Sequence, residues 1–373
     1  MIDETGTTKI TFNEIKTAYE SLADDLSREI FDKRIQYAYK QTPASIEELG
    51  KLNVGPAADA VNPEEKITLR KEVEKFSNTT VIIYGAGVLG HSIFEAIKDI
   101  KKVIFCVSNP SDIDNVKTED GIKVISKAEL LSTYSDTPII IASHTYFSEI
   151  FGFLLSSGID PTNIIDILKI LFEGHYFDTD IISLSKNEVF VDVGVYNGGT
   201  SIEFAEKCNR IYKQIYLFEA DPELARLSKQ FLEISSINNY EIYDVGLWDK
   251  KETLRFNNTS EMKCSKIDME GNIIIHVDTL DNYFIHDKTN IREIPTFIKM
   301  DIEGAELEAL KGGEQLIRQY APKLAICVYH KLEDVIIITN WLKNINPKYT
   351  MYLRHYGGGS GNQYETVLYA IQK

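Results

Sequence analysis

The chain has 373 residues, of which 43% are hydrophobic, and a formal net charge of −16, so it is long enough for two or three globular domains. The negative charge repels phosphate backbones and anionic lipid, which argues against nucleic acid or a membrane surface as a partner. No apolar run reaches the ~20 residues of a membrane-spanning helix, and the N-terminus MIDETGTTKI lacks the features of a signal peptide, so we expect a cytoplasmic protein.

The first segment, residues 1–78, is predicted to be a helical arm. Apolar residues recur at three-to-four spacing from Phe12 to Ile30, which is typical of an amphipathic helix. The glycine and prolines of NVGPAADAVNP then break the pattern. We expect the N-terminal segments to serve assembly, as a homodimer, or recruitment of a substrate.

The second segment, residues 79–172, alternates strand and helix patterns. Its strands are the near-continuous apolar runs TVIIY, KVIFCV, PIIIAS and NIIDI. Strands that are apolar throughout are typical of a parallel sheet with helices on both faces. This segment is therefore predicted to be a Rossmann-like module.

The glycine turn of this module, GAGVLG, has the spacing of a dinucleotide-binding turn in Gly85, Gly87 and Gly90. An NAD site also needs an acid at the end of the second strand to bind the ribose, and IFCVSN ends without one. We therefore favour a packing or assembly role, with His144, after PIIIAS, as the one other hint of function. The alternative is an NAD-dependent oxidoreductase or a sugar-nucleotide-binding protein centred on this turn.

The third segment, residues 185–373, resumes the alternation. Its strands are VFVDV, IYLFE, YEIYDV, TFIKMD and LAICV. A final pair, YTMYLRHY and ETVLYAIQ, is joined by GGGSGNQY, and this short joint predicts an antiparallel hairpin at one edge of the parallel sheet.

Ligands of an open parallel sheet bind beyond the carboxyl ends of its strands, so the residues that end each strand indicate the site. In this segment the strand ends are polar: Asp192, Glu219, Asp244, Asp301, and the pair Tyr329 and His330.

The turn DVGVYNGG favours S-adenosyl-L-methionine over a dinucleotide as the cofactor. A pyrophosphate would be repelled by Asp192, whereas the sulfonium and ammonium groups of S-adenosylmethionine are attracted by a carboxylate. Glu219, some 25 residues beyond Gly194, suits the ribose hydroxyls. The predicted cofactor-binding residues are Asp192, Gly194, Tyr196, Asn197, Gly198, Glu219, Ala220, Asp221, Asp244, Val245 and Asp301.

Residues from about 187 to 371 resemble the FkbM family of S-adenosylmethionine-dependent methyltransferases. The resemblance lies in FVDVGVYNGGTS, FEADP, VDTLDNY and above all FIKMDIEGAELEALKGG. It implies a class I methyltransferase sheet and methyl transfer, commonly to a hydroxyl of a sugar, polyketide or other secondary metabolite. The turn has GVYNGG in place of the alanine-asparagine that is usual in the family, so Tyr196 adds bulk beside the donor.

The predicted fold is thus α/β, with two doubly wound sheets. An N-terminal Rossmann-like module (residues 79–172) and a C-terminal class I methyltransferase domain (residues 185–373) with an antiparallel terminal hairpin follow the helical arm. The predicted function is O-methylation of a small molecule or sugar, in secondary-metabolite or glycan biosynthesis.

Methyl transfer needs an acceptor oxygen held in line with the donor and a group that takes its proton. The candidate catalytic residues are His330, Asp301 and His355, and Arg354 is expected at the same rim. His330 is favoured as the base because an imidazole titrates near neutrality. The alternative is a divalent metal held by Asp301 with neighbouring acids, which we do not favour because no third ligand is evident. We therefore predict no metal site.

Overall fold

The structure is a computed structural model of the chain. It describes residues 10–52, 61, 63–113, 121–143, 146–165, 167, 170, 175–257, 266–267, 273–356 and 365–372. The chain divides into two compact units. The first contains Met1–Val54, Gly174–Gly357 and Asn362–Lys373, and the second contains Gly55–Glu173 and Gly358–Gly361. No helix in the described part of the chain combines the length and the apolar character needed to cross a bilayer.

Four helices precede the first strand: α1 (Phe12–Glu20), α2 (Asp25–Lys40), α3 (Pro43–Gly50) and α4 (Pro63–Glu74). The first three belong to the first unit and α4 to the second, so the segment predicted as one arm is divided between the units. The periodic stretch from Phe12 to Ile30 is also two helices, not one. The chain breaks there because Asp24 caps α2, its Oδ1 accepting the Ser27 N–H at 2.7 Å.

The second unit contains a five-stranded sheet. Its strands are β1 (Thr80–Tyr84), β2 (Lys102–Val107), β3 (Val124–Ser126), β4 (Ile139–Ile141) and β5 (Ile164–Ile165). All pairings are parallel, in the order β3-β2-β1-β4-β5. Helices α5 (Val88–Ile97), α6 (Lys127–Thr133) and α7 (Phe147–Ser156) lie between them in sequence. The predicted Rossmann-like module is therefore present, with β3 as a strand that the sequence reading did not identify.

The first unit contains a seven-stranded sheet. Its strands are β6 (Val189–Val193), β7 (Gln214–Phe218), β8 (Tyr240–Tyr243), β13 (Phe297–Met300), β14 (Lys323–Cys327), β15 (Thr350–His355) and β16 (Thr366–Ile371). The order is β15-β16-β14-β13-β6-β7-β8. Of these seven strands, β16 runs antiparallel to the other six. The predicted α/β fold with an antiparallel terminal hairpin is confirmed.

The connections of this sheet are mostly helical. The helices are α8 (Gly199–Lys207), α9 (Pro222–Ile234), α10 (Glu306–Lys311), α11 (Glu314–Tyr320) and α12 (Asp334–Ile345). Between β8 and β13 the chain forms a small second sheet in the order β11-β10-β12-β9. It consists of β9 (Gly246–Leu247), β10 (Glu252–Asn257), β11 (Lys266–Ile267) and β12 (Ile273–Asp278).

Both faces of the seven-stranded sheet are covered. Val189, Val191 and Val193 of β6 belong to one apolar core, and Phe190 belongs to another with Phe204. Successive side chains of a strand point to opposite faces, so a strand buried on both faces is apolar throughout. The order of the strands reverses at β6, which lies between β13 and β7. In an open α/β sheet this switch point is where ligands bind.

The arm covers the free edge of the sheet at β15. Leu22 forms a parallel bridge with Met351, and the Ala23 N–H donates to the Met351 carbonyl at 2.8 Å. The Leu353 N–H donates to Ser27 Oγ at 2.9 Å. An exposed edge strand can pair with other chains, and these bonds occupy part of the edge.

Asp24 has two roles in the arm. It caps α2, and its Oδ2 lies 2.9 Å from Nη2 of Arg354 on β15. We expect Asp24→Ala to lower the free energy of unfolding by about 1–2 kcal/mol, as loss of a helix cap does. Asp24→Asn keeps the cap and loses a partly exposed ion pair, so it should cost less than ~1 kcal/mol. Urea denaturation of both variants measures the difference, and equal losses would show that the cap is not what matters.

Candidate active site

The turn after β6 requires glycine at Gly194. Its φ is +79°, and an added Cβ would lie 1.8 Å from the carbonyl oxygen of Asp301. Gly198, with a φ of +83°, precedes α8. The Oδ1 of Asn197 accepts the Gly199 N–H at 2.8 Å, which closes the turn. The contact with Gly194 places the end of β13 directly beside this turn.

A buried ion pair lies beneath the turn. Asp192 and Lys299 face each other across β6 and β13, with Lys299 Nζ 3.1 Å from Asp192 Oδ1. The same ammonium donates to the Gly194 carbonyl at 2.6 Å, and Ser201 Oγ donates to Asp192 Oδ2 at 2.7 Å. The sequence reading missed Lys299, although a lysine inside the apolar strand TFIKMD was a visible signal.

The pair keeps Asp192 away from solvent. Burial raises the pKa of Asp192, and the charge of Lys299 opposes this rise. Burial opposes the charged form of Lys299, but the carboxylates of Asp192 and Asp301 outweigh it and raise the pKa of Lys299. Asp192 is 0% exposed, so it holds the turn from below. Our expectation that its carboxylate attracts a cationic cofactor directly does not fit this position, because Lys299 already balances the charge.

Glu219, at the end of β7, is hydrogen-bonded to the turn. Its Oε2 accepts the N–H groups of Val195 and Tyr196, both at 3.1 Å, and its Oε1 accepts the Asp221 N–H at 3.0 Å. Burial raises its pKa, and these backbone bonds act against the rise. Tyr196 has a φ of +57°, so this turn holds a non-glycine residue in the left-handed region. A carboxylate has about four lone-pair sites, which leaves capacity for a ligand hydroxyl.

The other predicted donor residues lie along the same edge. Ala220 follows Glu219, and Asp221 caps α9 by accepting the backbone N–H groups that open that helix. Asp244 is exposed and Val245 is half-buried, directly after β8. Because β7 and β8 are adjacent, these two residues end the strand next to that of Glu219.

Asp301, at the end of β13, is bound by two tyrosines. Tyr176 OH donates to its Oδ2 at 2.8 Å and Tyr329 OH to its Oδ1 at 3.2 Å. Burial would raise the pKa of Asp301, but the charges of Lys299 and His330 and the bond from Tyr176 lower it. Tyr176 lies outside every strand and motif that the sequence reading used, so nothing in the pattern marked it.

Three carboxylates surround His330. Its Nε2 lies 3.4 Å from Asp301 Oδ1 and 3.6 Å from Glu303 Oε2, and its Nδ1 lies 2.9 Å from Glu306 Oε1. Burial lowers the pKa of His330, but these carboxylates outweigh it and raise the pKa to about 9. The expectation of an imidazole that titrates near neutrality does not agree with this environment, because it assumed an unperturbed side chain.

A further acid and histidine, also missed from the sequence, adjoin this group. His175 Nε2 lies 3.3 Å from Glu365 Oε2. The pKa of Glu365 is raised by burial and by the nearby charge of Asp301. Glu365 begins the predicted strand ETVLYAIQ, and His175 lies before the third segment; the fold brings both to the ends of β13 and β14.

Arg354 and His355 have structural positions. His355 is 0% exposed, and its Nδ1 lies 2.8 Å from Oγ1 of Thr366 on the facing strand. Arg354 contacts Asp24 at 2.9 Å and Asp178 at 3.2 Å. The two residues hold the hairpin and the arm, so the prediction that they face an acceptor at the rim is not supported.

The glycine turn of the second unit has two sterically required glycines. An added Cβ would lie 2.8 Å from the Ala142 carbonyl at Gly85, whose φ is +116°, and 2.1 Å from the Gly85 carbonyl at Gly90. At Gly87 no atom of the described residues lies within 4 Å of an added Cβ. Gly90 thus serves close packing within the unit. His144 lies outside the described residues.

A family model described as "Methyltransferase FkbM domain" matches residues 192–357, the segment that contains the turn, Glu219 and the acids around His330. We refer to this matched segment, residues 192–357, as the FkbM domain. A second family model, described as "C2185-like, N-terminal", matches residues 77–165 in the second unit. No curated protein matches the chain.

Solved structures with similarity to the chain include three methyltransferases. The FkbM methyltransferase from Methylobacillus flagellatus KT is 17% identical, covers 93% of this chain and 99% of its own, and has a TM-score of 0.46. An rRNA methylase from Streptococcus thermophilus is 16% identical, with coverages of 55% and 95% and a TM-score of 0.34. An O-methyltransferase from Bacillus cereus in complex with SAH is 11% identical, with coverages of 50% and 75% and a TM-score of 0.32.

Removal of one partner of the ion pair beneath the turn should strongly destabilise the FkbM domain. Lys299→Met leaves the Asp192 carboxylate buried without a countercharge, and we expect a loss of about 3–5 kcal/mol in the free energy of unfolding. The double variant Asp192→Asn, Lys299→Met removes both charges and should recover much of this loss. Chemical denaturation measures both, with exposed Lys311→Met as the control. A double variant as unstable as the single one would show that the charges are not coupled.

Proposed function

We propose that the FkbM domain transfers a methyl group from S-adenosylmethionine to a hydroxyl of a small molecule or sugar. The proposal rests on two parts of the predicted donor site that lie together at the switch point of the sheet. The glycine turn after β6 and the carboxylate of Glu219 at the end of β7 are hydrogen-bonded to each other within the domain.

In this proposal the donor lies across the ends of β6, β7 and β8. Glu219 accepts hydrogen bonds from the ribose hydroxyls, and the chain after β8, at Asp244 and Val245, adjoins the base. The methionine end then reaches the contact between Gly194 and Asp301. The acids around His330 carry a net negative charge that complements the sulfonium.

The sulfonium methyl is already activated, so the domain has to align the acceptor oxygen and take its proton. Asp301 and His330 remain our candidates for groups that act on the acceptor hydroxyl, because they end the strands beside the donor turn. Glu303 joins them, because its side chain is 34% exposed and thus open to an incoming acceptor. His355 is left out, since it is fully buried against Thr366.

Binding of the demethylated donor tests the proposal. S-adenosylhomocysteine at 100 times its Kd should stabilise the chain by ~2.7 kcal/mol, seen as a rise in Tm. Glu219→Ala should weaken its affinity by about 10- to 100-fold, because bonds to a charged acceptor are worth ~1.5–3 kcal/mol. Exposed Glu223→Ala on α9 is the matched control and should bind normally.

Because Glu219 also holds the turn, circular dichroism must show that the Glu219→Ala variant is folded, and Glu219→Gln repeats the test with less change of shape. Absence of any stabilisation of the wild type by S-adenosylhomocysteine would overturn the proposed donor. Mass spectrometry of metabolite and glycan extracts, treated with a deuteromethyl donor, then identifies the acceptor by its labelled methyl group.

The open space at Gly87 allows a separate test of the second unit. Gly87 precedes α5 without a side-chain cap, so Gly87→Asp should leave stability within a few tenths of a kcal/mol or raise it. We expect NAD not to shift the Tm of the wild type, and the variant to transfer methyl groups normally. An NAD-induced rise in Tm that Gly87→Asp abolishes would instead assign a nucleotide site to this turn, since the carboxylate repels phosphate.

A further inference from the structure

Three side chains at the ends of β13 and β14 form a compact ligand set. Asp301, Glu306 and His330 can each place one ligand atom so that all three atoms lie within 4.8 Å of one another. Two ligands that bind one small divalent cation at about 2.1 Å are separated by ~3 Å when adjacent and ~4 Å when opposite. The set therefore needs little movement to enclose an ion.

The hydrogen bonding of this set is incomplete. Glu306 is 0% exposed, and its Oε2 has no hydrogen-bond partner among the described residues. The His330 side chain is 7% exposed, and neither ring nitrogen forms a hydrogen bond of normal geometry within the same residues. A buried polar atom without a partner costs ~1–3 kcal/mol, so native proteins rarely retain one without a reason.

The contacts of Glu306 show which of its two carboxylate oxygens is available to a cation. Nδ1 of His330 and Oε1 of Glu306 are 2.9 Å apart, so these two atoms are paired with each other. Glu306 Oε1 already accepts the Ile302 N–H at 2.9 Å, which leaves Oε2 as its free ligand atom. Oε2 is buried and has no hydrogen-bond partner among the described residues, so it is the Glu306 atom that a cation would bind.

The charge around the set also favours a cation. Glu303 lies 3.6 Å from His330, and the charge of Asp301 acts on half-buried Glu365. The buried ammonium of Lys299 is paired with Asp192, and its charge also acts on Asp301. Acids therefore outnumber cations at this edge, and a divalent ion would balance them.

We propose that Asp301, Glu306 and His330 bind a divalent cation of the Mn²⁺ or Mg²⁺ class. Carboxylate oxygens suit both ions, and Mn²⁺ also accepts an imidazole. His330, which the sequence indicated only as a base, is the third ligand in this proposal, and it reaches Asp301 from the neighbouring strand. With three protein ligands, the remaining positions are open to water or an acceptor hydroxyl, whose pKa the ion would lower. That role rests on the proposed function, whereas the site itself does not.

Titration of the purified chain with Mn²⁺ tests the site without donor or acceptor. The electron paramagnetic resonance signal of free Mn²⁺ should show one ion bound per chain. Asp301→Asn and His330→Gln should each weaken binding more than tenfold, as loss of groups at metal sites does. Glu314→Gln is the matched control, because Glu314 is exposed and paired with Arg318. Treatment with EDTA should abolish methyl transfer, and Mn²⁺ or Mg²⁺ should restore it.

Binding of S-adenosylhomocysteine to the wild type separates this proposal from the previous one, and circular dichroism shows that each variant is folded. A chain that binds S-adenosylhomocysteine but no Mn²⁺ would overturn the metal site alone. Mn²⁺ binding that both variants retain at wild-type affinity would place the ion elsewhere and overturn the assignment of ligands. Mn²⁺ binding lost in both variants, in a chain that ignores S-adenosylhomocysteine, would support the site and overturn the proposed donor.

Discussion

The pairing of Asp192 with Lys299 is the constraint on which the site depends. It sets two opposite charges face to face on central strands of an otherwise apolar sheet. Removing both groups from water costs several kcal/mol per ion, so such a pair adds little net stability compared with apolar residues. We interpret its role as conformational. By also binding the Gly194 carbonyl, Lys299 fixes the direction in which the chain leaves β6.

The edge of the sheet then divides into two halves with opposite chemistry. At the ends of β6 and β7 the backbone N–H groups of the turn donate hydrogen bonds to Glu219. Along β13 and β14 the chain offers carboxylates and an imidazole, which tyrosines and backbone groups only partly satisfy. The two halves meet where Gly194 contacts the Asp301 carbonyl, so any side chain at residue 194 would push them apart.

Most of the fold and the outline of the site could be predicted, because apolar strands that end in acids mark one edge of a parallel sheet. Glu219 and Asp301 follow their strands as expected. The contacts of Lys299 could not be predicted, since they depend on the register between strands far apart in sequence. The same holds for His355, because register decides which face of a strand is buried. Tyr176 belongs to no motif, and tertiary packing alone brings it to Asp301.

The attachment of the arm to β15 has a consequence for synthesis of the chain. Ser27 and its partner Leu353 are 326 residues apart, and Gly55–Glu173 of the second unit lies between them in the sequence. At ~5–20 residues per second, a ribosome makes the arm roughly 15–65 seconds before the strand that it covers. During that time Leu22 and Phe31, both buried in the finished protein, have no strand to pack against. The nascent arm is therefore the segment for which protection by a chaperone matters most.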